Sequence, residues 1–372
     1  MKFRGSYHSM ESKRYKKMLE EQRVTRLKIG IGGLEREAQE QHLSSIIIIC
    51  FVACSRSHTK LVSRASMHSQ SQSQSQSELN EALLEAAREG SITEIQSLLD
   101  RHADVDARSD NEGATPLHLA SWEGHHRCIE LLLDRDANIN AVNNDNDTPL
   151  HLASLEGHHQ CIELLLDRDA DINALNNDND TPLHLASIEG HPQCIELLLN
   201  RHADITARDE VKGTPLHLAS RAGHHQCIEL LLDRHTDINV CDKTNETPLH
   251  EASSHGHHQC IELLLDRHAD INAREQHSYA PVHLASMYGH HQCVELLLDR
   301  HADVNDFDQN NDTPLHLASM NGHHQCIELL IDHAANKYLI DVRHCVPPLS
   351  RSLLQPQYLA CISHSNVSLS SC

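Results

Sequence analysis

A four-residue motif recurs at a fixed interval along this chain. Thr-Pro-Leu-His begins at residues 115, 148, 181, 214, 247 and 313, and Ala280-Pro281-Val282-His283 fills the one missing step. The interval is 33 residues. Such a period is typical of chains in which each unit buries its apolar face only by stacking on its neighbours. The sequence therefore predicts an elongated solenoid instead of a closed globule.

Each unit is predicted to contain two short helices, called helix one and helix two below. Thr148 is a good N-cap, and Pro149 suits the first helical position, where its missing amide hydrogen is not needed. Gly157 can take the left-handed conformation at which helices commonly stop. The apolar face of helix two consists of Cys161, Ile162, Leu164, Leu165 and Leu166. The polar run 176–180 is rich in turn formers and predicts a hairpin-like finger.

This unit resembles the ankyrin repeat, which combines a turn and two helices with the signature Thr-Pro-Leu-His-x-Ala. Seven units carry the signature or its Ala280 variant, and a weaker eighth unit precedes them, with Ala86 set 34 residues before Ala120. The resemblance covers residues 78–337, and its atypical first and last units are expected of caps. It implies an all-α ankyrin-repeat solenoid of helix-turn-helix units with β-hairpin-like fingers.

The chain departs from the family at positions where ankyrin repeats usually have glycine. These positions hold Asn146, Asn179, Asn245 and Asn311 in the fingers, and Asp136, Asp169, His202, His235, His268 and His301 after helix two. Asn, Asp and His are the non-glycine residues best tolerated at positive φ, so we expect the family's backbone geometry to survive at a modest strain. Lys212 and Ser278 fit this expectation less well.

Charge separates the repeat array from the two ends. Residues 78–337 hold 16 Lys plus Arg against 46 Asp plus Glu, whereas the counts are 13 and 6 for residues 1–77, and 2 and 1 for residues 338–372. An array this acidic is expected to repel DNA and RNA, because phosphate backbones attract Lys and Arg. A basic protein surface is the expected partner. The alternative is that acidity only keeps a long repetitive surface soluble.

The two ends are predicted to be poorly ordered. Residues 1–77 form a basic, largely disordered leader with a Ser/Gln spacer, and residues 338–372 lose the period and form a disordered tail. The apolar run 46–53 is far shorter than a membrane span and lies too far from the start for a signal peptide. Met67 is an alternative start, so the translation of residues 1–66 stays open. We expect the protein to be a monomer in the cytoplasm. Whether it is also present in the nucleus stays open.

Cysteine and histidine form two ladders that are predicted to be structural. Seven cysteines occupy the same position of helix two, at 128, 161, 194, 227, 260, 293 and 326, and neighbouring helices lie about 8–10 Å apart, too far for disulfides. The histidine pairs repeat at the same spacing and do not converge as zinc ligands do. The resemblance implies that the first histidine of each pair begins helix two and that the motif histidine bonds between repeats. No metal or cofactor is expected.

Enzyme motifs fail on inspection. His250 and His255 flank Glu251 but are five residues apart, whereas the zinc protease helix needs four. Asp306 opens a run like the start of a calcium loop, but Leu317 occupies the position of its bidentate glutamate. No phosphate-binding glycine loop or nucleophile elbow appears in the sequence. Catalysis is therefore not expected, and the 34 histidines predict a pH-sensitive stability of unassigned sign.

The units are nearly copies of one another, so the positions that differ are candidates for partner contact. Variation concentrates at two adjacent positions at the end of helix one, which we call the helix-one stripe. Its members are Trp122-Glu123, Leu155-Glu156, Ile188-Glu189, Arg221-Ala222, Ser254-His255, Met287-Tyr288 and Met320-Asn321. The resemblance implies that this stripe and the fingers form a concave surface, to which Glu112, Lys212 and Tyr279 can contribute. The alternative for Leu155 and Ile188 is packing against neighbouring fingers.

The expected function is a non-enzymatic scaffold or adaptor that binds a basic or amphipathic segment of another protein. Two alternatives stay open, namely an adaptor tethered to a membrane and a fragment of a larger ankyrin-containing enzyme. The resemblance also implies a modification, because asparaginyl hydroxylases modify ankyrin asparagines that follow an aspartate by two residues and a leucine by eight. The matching positions are Asn173, Asn239, Asn272 and Asn305.

Overall fold

A computed structural model describes residues 75–333 of this chain, and the leader up to residue 74 and the predicted tail lie outside the described residues. Residues 75–333 contain sixteen helices and no strand. They are α1 Gln76–Glu89, α2 Ile92–Asp100, α3 Pro116–Trp122, α4 His126–Leu133, α5 Pro149–Leu155, α6 His159–Asp167, α7 Pro182–Glu189, α8 Pro192–Asn200, α9 Pro215–Ala222, α10 His225–Leu232, α11 Pro248–His255, α12 His258–Asp266, α13 Pro281–Tyr288, α14 His291–Asp299, α15 Pro314–Asn321 and α16 His324–Asp332.

The chain divides into two compact units, Met1–Pro149 and Leu150–Cys372. In the first unit α1 packs on α2 and α3, and α4 packs on α2 and α3. In the second unit each helix one from α7 to α15 packs on the next helix one, and each helix two from α6 to α16 packs on the next helix two. Within each unit the helix pairs are therefore stacked repeats, as predicted.

The motif fixes the start of helix one through its own side chains. Thr115 is the N-cap of α3, and its side chain accepts a hydrogen bond from the amide of His118. The Thr115 amide in turn donates to Nδ1 of His118 over 3.1 Å. Because Nδ1 accepts, Nε2 carries the proton and donates to the carbonyl of Asp147, in the next finger, over 2.9 Å. His217 and His250 repeat this bond at 3.0 Å in the second unit, whereas His283 bonds a different carbonyl, that of Asp306, at 3.1 Å.

These motif histidines are held neutral by burial. His118, His184 and His250 are 0% exposed. Burial, opposed by a hydrogen bond to a backbone carbonyl, lowers the pKa of each to about 4. A protonated imidazole ring cannot accept the hydrogen bond from the threonine amide. Protonation therefore breaks the N-cap of helix one and also leaves a charge buried.

The predicted positive backbone angles are all present. The asparagines, aspartates and histidines at the family's glycine positions have φ between 58° and 68°, and Lys212 and Ser278 adopt the same region at 63° and 64°. Each of these two residues lies in a finger where one acidic side chain accepts hydrogen bonds from several backbone amides, which stabilises the strained turn. Asp209 Oδ1, for example, accepts from the amides of Val211 and Gly213 at 2.9 and 2.6 Å.

The fingers are turns that touch their neighbours at the tip. In one of them the Asp242 amide donates to the Glu246 carbonyl at 3.0 Å, which closes the turn, and the Lys243 amide donates to the preceding finger at Val211 over 2.8 Å. The hairpin-like shape therefore depends on one hydrogen bond within the finger and one hydrogen bond to the tip of the neighbouring finger. Residues 75–333 contain no strand, because these bonds do not extend into a ladder.

The cysteine ladder belongs to the core, as predicted. All seven cysteines are free and buried. Burial raises the pKa of the Cys194 thiol to about 12, so this thiol stays protonated and unreactive at neutral pH. Cys241, in a finger, is free and exposed.

The buried histidines assign a sign to the pH dependence of stability. Their folded pKa of about 4 lies below the unfolded value of about 6.5, so protons bind the unfolded chain more tightly. Stability is then complete above pH 6.5 and falls as the pH decreases toward 4. Each such histidine costs about 1 kcal/mol between pH 7.5 and 5.5.

We expect the urea midpoint of unfolding to be clearly lower at pH 5.5 than at pH 7.5. His184→Gln provides the matched control, because its amide side chain does not titrate, and the variant should show a smaller fall. An equal or higher midpoint at pH 5.5 would contradict this account of the histidines.

Candidate protein-binding surface

The stripe side chains differ widely in exposure. Tyr288 is 53% exposed and Met320 is 48% exposed, whereas Leu155 is only 8% exposed. Trp122 and Ile188 are partly buried. Among the other predicted members, Met287, Arg221 and Glu156 are partly buried, and Glu123 and Glu189 are exposed. Leu155 is therefore buried, while Tyr288 and Met320 offer apolar surface to solvent.

The backbone under the stripe is fixed by the histidine ladder. In the second unit, from His224 to His323, the first histidine of each pair donates from Nε2 to the carbonyl of the stripe residue one repeat earlier. His224 reaches Ile188 at 3.0 Å, and His323 reaches Met287 at 2.9 Å. Because this bond uses only the backbone of the stripe residue, its side chain is free to vary without loss of the scaffold.

A buried ion pair interrupts the apolar stripe. Glu251, on α11, is 3% exposed at the position where the other six motif-bearing units have leucine. Arg221, at the end of α9, donates from Nε and Nη2 to its two carboxylate oxygens over 3.0 and 2.5 Å. Burial acts to raise the pKa of Glu251, but the Arg221 guanidinium outweighs it and the pKa is lowered. Glu251 is therefore charged at neutral pH.

Two finger carboxylates join this pair. In the described part of the chain, oxygens of Asp242, Glu246 and Glu251 lie within 4.8 Å of one another. Burial, followed by the charges of Glu251 and Asp242, raises the pKa of Glu246 to about 7. Asp242 Oδ1 already accepts from the amides of Thr244 and Glu246 at 2.8 Å. The cluster therefore links a finger to helix one of two consecutive repeats and has one guanidinium against three carboxylates.

Tyr279 lies at the base of a finger and is half-buried. Its ring centroid is 6.0 Å from that of His283 and 6.3 Å from that of His277. Burial, with the neighbouring charge of Asp308 and a hydrogen bond to it, raises the pKa of the Tyr279 phenol. These contacts join the half-buried Tyr279 side chain to its own finger, to α13 and to Asp308 of the next finger.

The sequence missed the carboxylates of this cluster because no local pattern marks them as neighbours. Glu251 lies in a sequence that fails as a zinc motif, but a glutamate at a position where the other units have leucine is a usable signal. The sequence marks its partner Arg221 only as a variable member of the helix-one stripe. Arg221 and Glu251 are 30 positions apart in sequence and become adjacent only when consecutive helices one stack.

A family model described as "Ankyrin repeats (3 copies)" matches residues 50–143, 137–209, 207–275 and 273–341. The chain belongs to the ankyrin repeat family. The chain is also similar to the solved human ASB11 ankyrin repeat domain, with 28% sequence identity and a TM-score of 0.54, over 58% of this chain and 98% of that one. No curated protein sequence matches the chain.

The family assignment confirms the predicted fold class and supports a general function. Ankyrin repeats mediate protein–protein interaction and their domains are typically non-catalytic, so this ankyrin repeat protein is expected to bind protein. Every helix between residues 75 and 333 is too short or too polar to span a bilayer.

The asparagines of the ankyrin finger bases form their own ladder. Asn239 Oδ1 accepts from the amide of Asp270 at 2.8 Å, and Asn173 makes the same bond to Asp204 at 2.8 Å. Asn272 bonds the Asp303 amide at 3.2 Å. Asn173, Asn239 and Asn272 are exposed, and Asn305 is partly buried.

The Arg221–Glu251 pair is expected to behave as a buried pair. Arg221→Ala leaves the Glu251 carboxylate buried and uncompensated, and should lower the free energy of unfolding by about 3–5 kcal/mol. Arg221→Met combined with Glu251→Leu restores the apolar stripe and should be neutral or stabilising.

Urea unfolding at pH 7.5 measures both effects. Arg300→Ala is the matched control, because this arginine forms an exposed pair with Asp266 and its loss should cost about 1 kcal/mol or less. A loss at Arg221 no larger than that at Arg300 would contradict the assignment of a buried pair.

Proposed function

We propose that this ankyrin repeat protein is a non-enzymatic scaffold or adaptor that holds a basic or amphipathic segment of a partner protein on the helix-one stripe and adjoining fingers. The single observation that carries the proposal is the placement of variation. The residues that vary between units include those at the end of helix one, and two of these, Tyr288 and Met320, are large apolar side chains exposed to solvent.

The exposed apolar side chains supply anchors for a partner. Tyr288 is followed by Gly289, and its ring lies 6.4 Å from the ring of His290, which bonds the backbone of the repeat before it. A large aromatic side chain on a rigid backbone loses little entropy on binding, which is why tyrosine is enriched at binding hot spots. Met320 is an adaptable side chain that can fill an irregular apolar contact.

Carboxylates beside these anchors favour a partner with positive charge. Glu123 and Glu189 are exposed within the stripe itself. The array as a whole has 46 acidic against 16 basic residues over 78–337, so it attracts a basic segment from solution before contact. A partner that combines basic and apolar residues matches both properties of the surface.

The location and assembly state belong to the same proposal. Free cysteines throughout the core suit a reducing compartment, so we place the protein in the cytoplasm, with or without a nuclear population. We propose that it acts as a monomer and uses neither a cofactor nor a metal ion.

The stripe is tested by comparing three versions of the array in a capture experiment. The first is unchanged, the second carries Trp122→Ala, Ile188→Ala and Tyr288→Ala, and the third carries Gln160→Ala, Gln193→Ala and Gln226→Ala on exposed positions of helix two. We expect the second version to lose specific partners that the first and third retain, with equal circular dichroism for all three.

Quantitative affinity then follows for a partner identified in this way. Removal of the three anchors should weaken binding at least about tenfold, since hot-spot side chains contribute 2 kcal/mol or more each. Loss of binding with the helix-two version, and retention with the stripe version, would defeat the site assignment.

We further propose that Asn173, Asn239, Asn272 and Asn305 are hydroxylated at their β-carbons. The observation that supports this is the exposure of the first three, together with the aspartate that lies two residues before each. Asn140 is a matched internal control, because it occupies the equivalent position but follows Asn138. Mass spectrometry of protein from cells that contain the hydroxylase should show one added oxygen at the four sites and none at Asn140. Absence at all four would refute the proposal.

A further inference from the structure

The exposed side chains of the helix-one stripe change in character along the second unit. Glu189, at the end of α7, is an exposed carboxylate. Tyr288, at the equivalent position of α13, is an exposed aromatic side chain, and Met320 on α15 is exposed as well. The stripe of this unit therefore has a carboxylate towards α7 and large apolar side chains towards α15.

The finger tips show the same order. Consecutive tips are joined through the backbone, because the Glu210 amide donates to the Asp178 carbonyl over 2.8 Å, and the amides of Lys243, Gln276 and Gln309 continue the series at 2.8–3.1 Å. The first two tips hold Asp178 and Glu210, the third holds Lys243, and the last two hold no carboxylate. Acidic charge at the tips is therefore confined to the two fingers that flank α7 in the chain.

The middle of the stripe separates these two ends. Arg221 is neutralised there by the buried Glu251 carboxylate, which accepts from it at 3.0 and 2.5 Å. The neighbouring stripe positions hold Ala222, Ser254 and His255, which offer no large apolar side chain. An acidic region and an apolar region are therefore distinct along one row of repeats.

Three repeats lie between the acidic and the apolar region. Tyr288 follows Glu189 by three 33-residue steps, and each helix one from α7 to α13 packs on the next. Packed helices lie about 8–10 Å apart, so the two positions are about 24–30 Å apart along the stack. An extended chain covers at most about 3.6 Å per residue, so a segment that reaches both positions needs at least about seven residues between its two contacts.

We propose that the partner segment is bipartite, with a basic group at Glu189 and the tips of Asp178 and Glu210, and an apolar group at Tyr288 and Met320. This inference rests on the proposed function and adds the order in which the partner's side chains lie along the array.

Charge selects this order over the reverse one. A lysine or arginine bound beside Tyr288 would meet neutral tips and the Lys243 ammonium instead of carboxylates. At the acidic end, the exposed Lys212 side chain offsets part of the charge of Glu210 in the same finger, so Glu189 is the main contact for the basic group.

A displayed library of random peptides, selected on the full chain, provides the probe. Peptides of about 20 residues are long enough to span the two regions even as a helix. We expect the enriched peptides to carry their basic and their large apolar residues in two separate groups, at least about seven residues apart.

Paired substitutions then assign each group of a selected peptide to its region. Glu189→Gln with Glu210→Gln should weaken binding about fivefold, as the loss of two exposed ion pairs predicts. The same pair should have no effect on a peptide whose basic group is replaced by alanine. Tyr288→Ala with Met320→Ala should weaken binding of the selected peptide, but not of one whose apolar group is replaced by alanine.

The matched control is Glu163→Gln with Glu196→Gln, two exposed glutamates of helix two whose replacement changes the net charge equally. This pair should weaken the selected peptide less than Glu189→Gln with Glu210→Gln does, and an equal loss would overturn the proposal. Peptides that depend on Tyr288 and Met320 but carry basic and apolar residues intermixed would also overturn it, while leaving the stripe as the binding surface. Enrichment of no peptide, or only of peptides that both stripe pairs leave unaffected, would contradict the proposed function as well.

Discussion

The hydrogen bond from a neutral histidine to the next finger is the interaction on which the rest of the structure depends. His118 shows the arrangement: Nδ1 accepts the threonine amide that starts its own helix, and Nε2 donates to the carbonyl of Asp147 in the following finger. One ring thereby fixes a helix start and joins two repeats. Burial of the ring excludes the competing water and keeps it neutral, so helix capping and stacking form or fail together.

This arrangement separates what holds the repeats from what distinguishes them. The second histidine ladder bonds only the backbone of each stripe residue, as His257 does at the carbonyl of Arg221 over 2.9 Å. The side chain above that carbonyl can therefore be Ile188, Arg221 or Met287 with the same backbone beneath it. A surface built in this way can acquire new side chains without refolding, which is the property that a scaffold for protein partners requires.

The 33-residue period made most of the fold predictable, because the same sequence signals for helix starts and turns occur in seven units. Helix starts, most left-handed positions and the buried cysteines followed from residue type. Lys212 is an exception, because its place in the repeat sets a positive φ that its own side chain disfavours. The candidate site was less predictable. Exposure of Tyr288 and burial of Leu155 depend on neighbouring side chains, and the Arg221–Glu251 pair depends on two departures from the repeat that compensate each other only in space.

Site-specific photo-crosslinking tests most directly whether partners bind where the repeats vary. A photoreactive phenylalanine analogue replaces Tyr288 in one protein and Gln292, an exposed position of helix two in the same repeat, in another. The account predicts a discrete crosslinked product from position 288 that excess unlabelled array competes away, and little from position 292. Specific, competable products from position 292 with none from position 288 would contradict it.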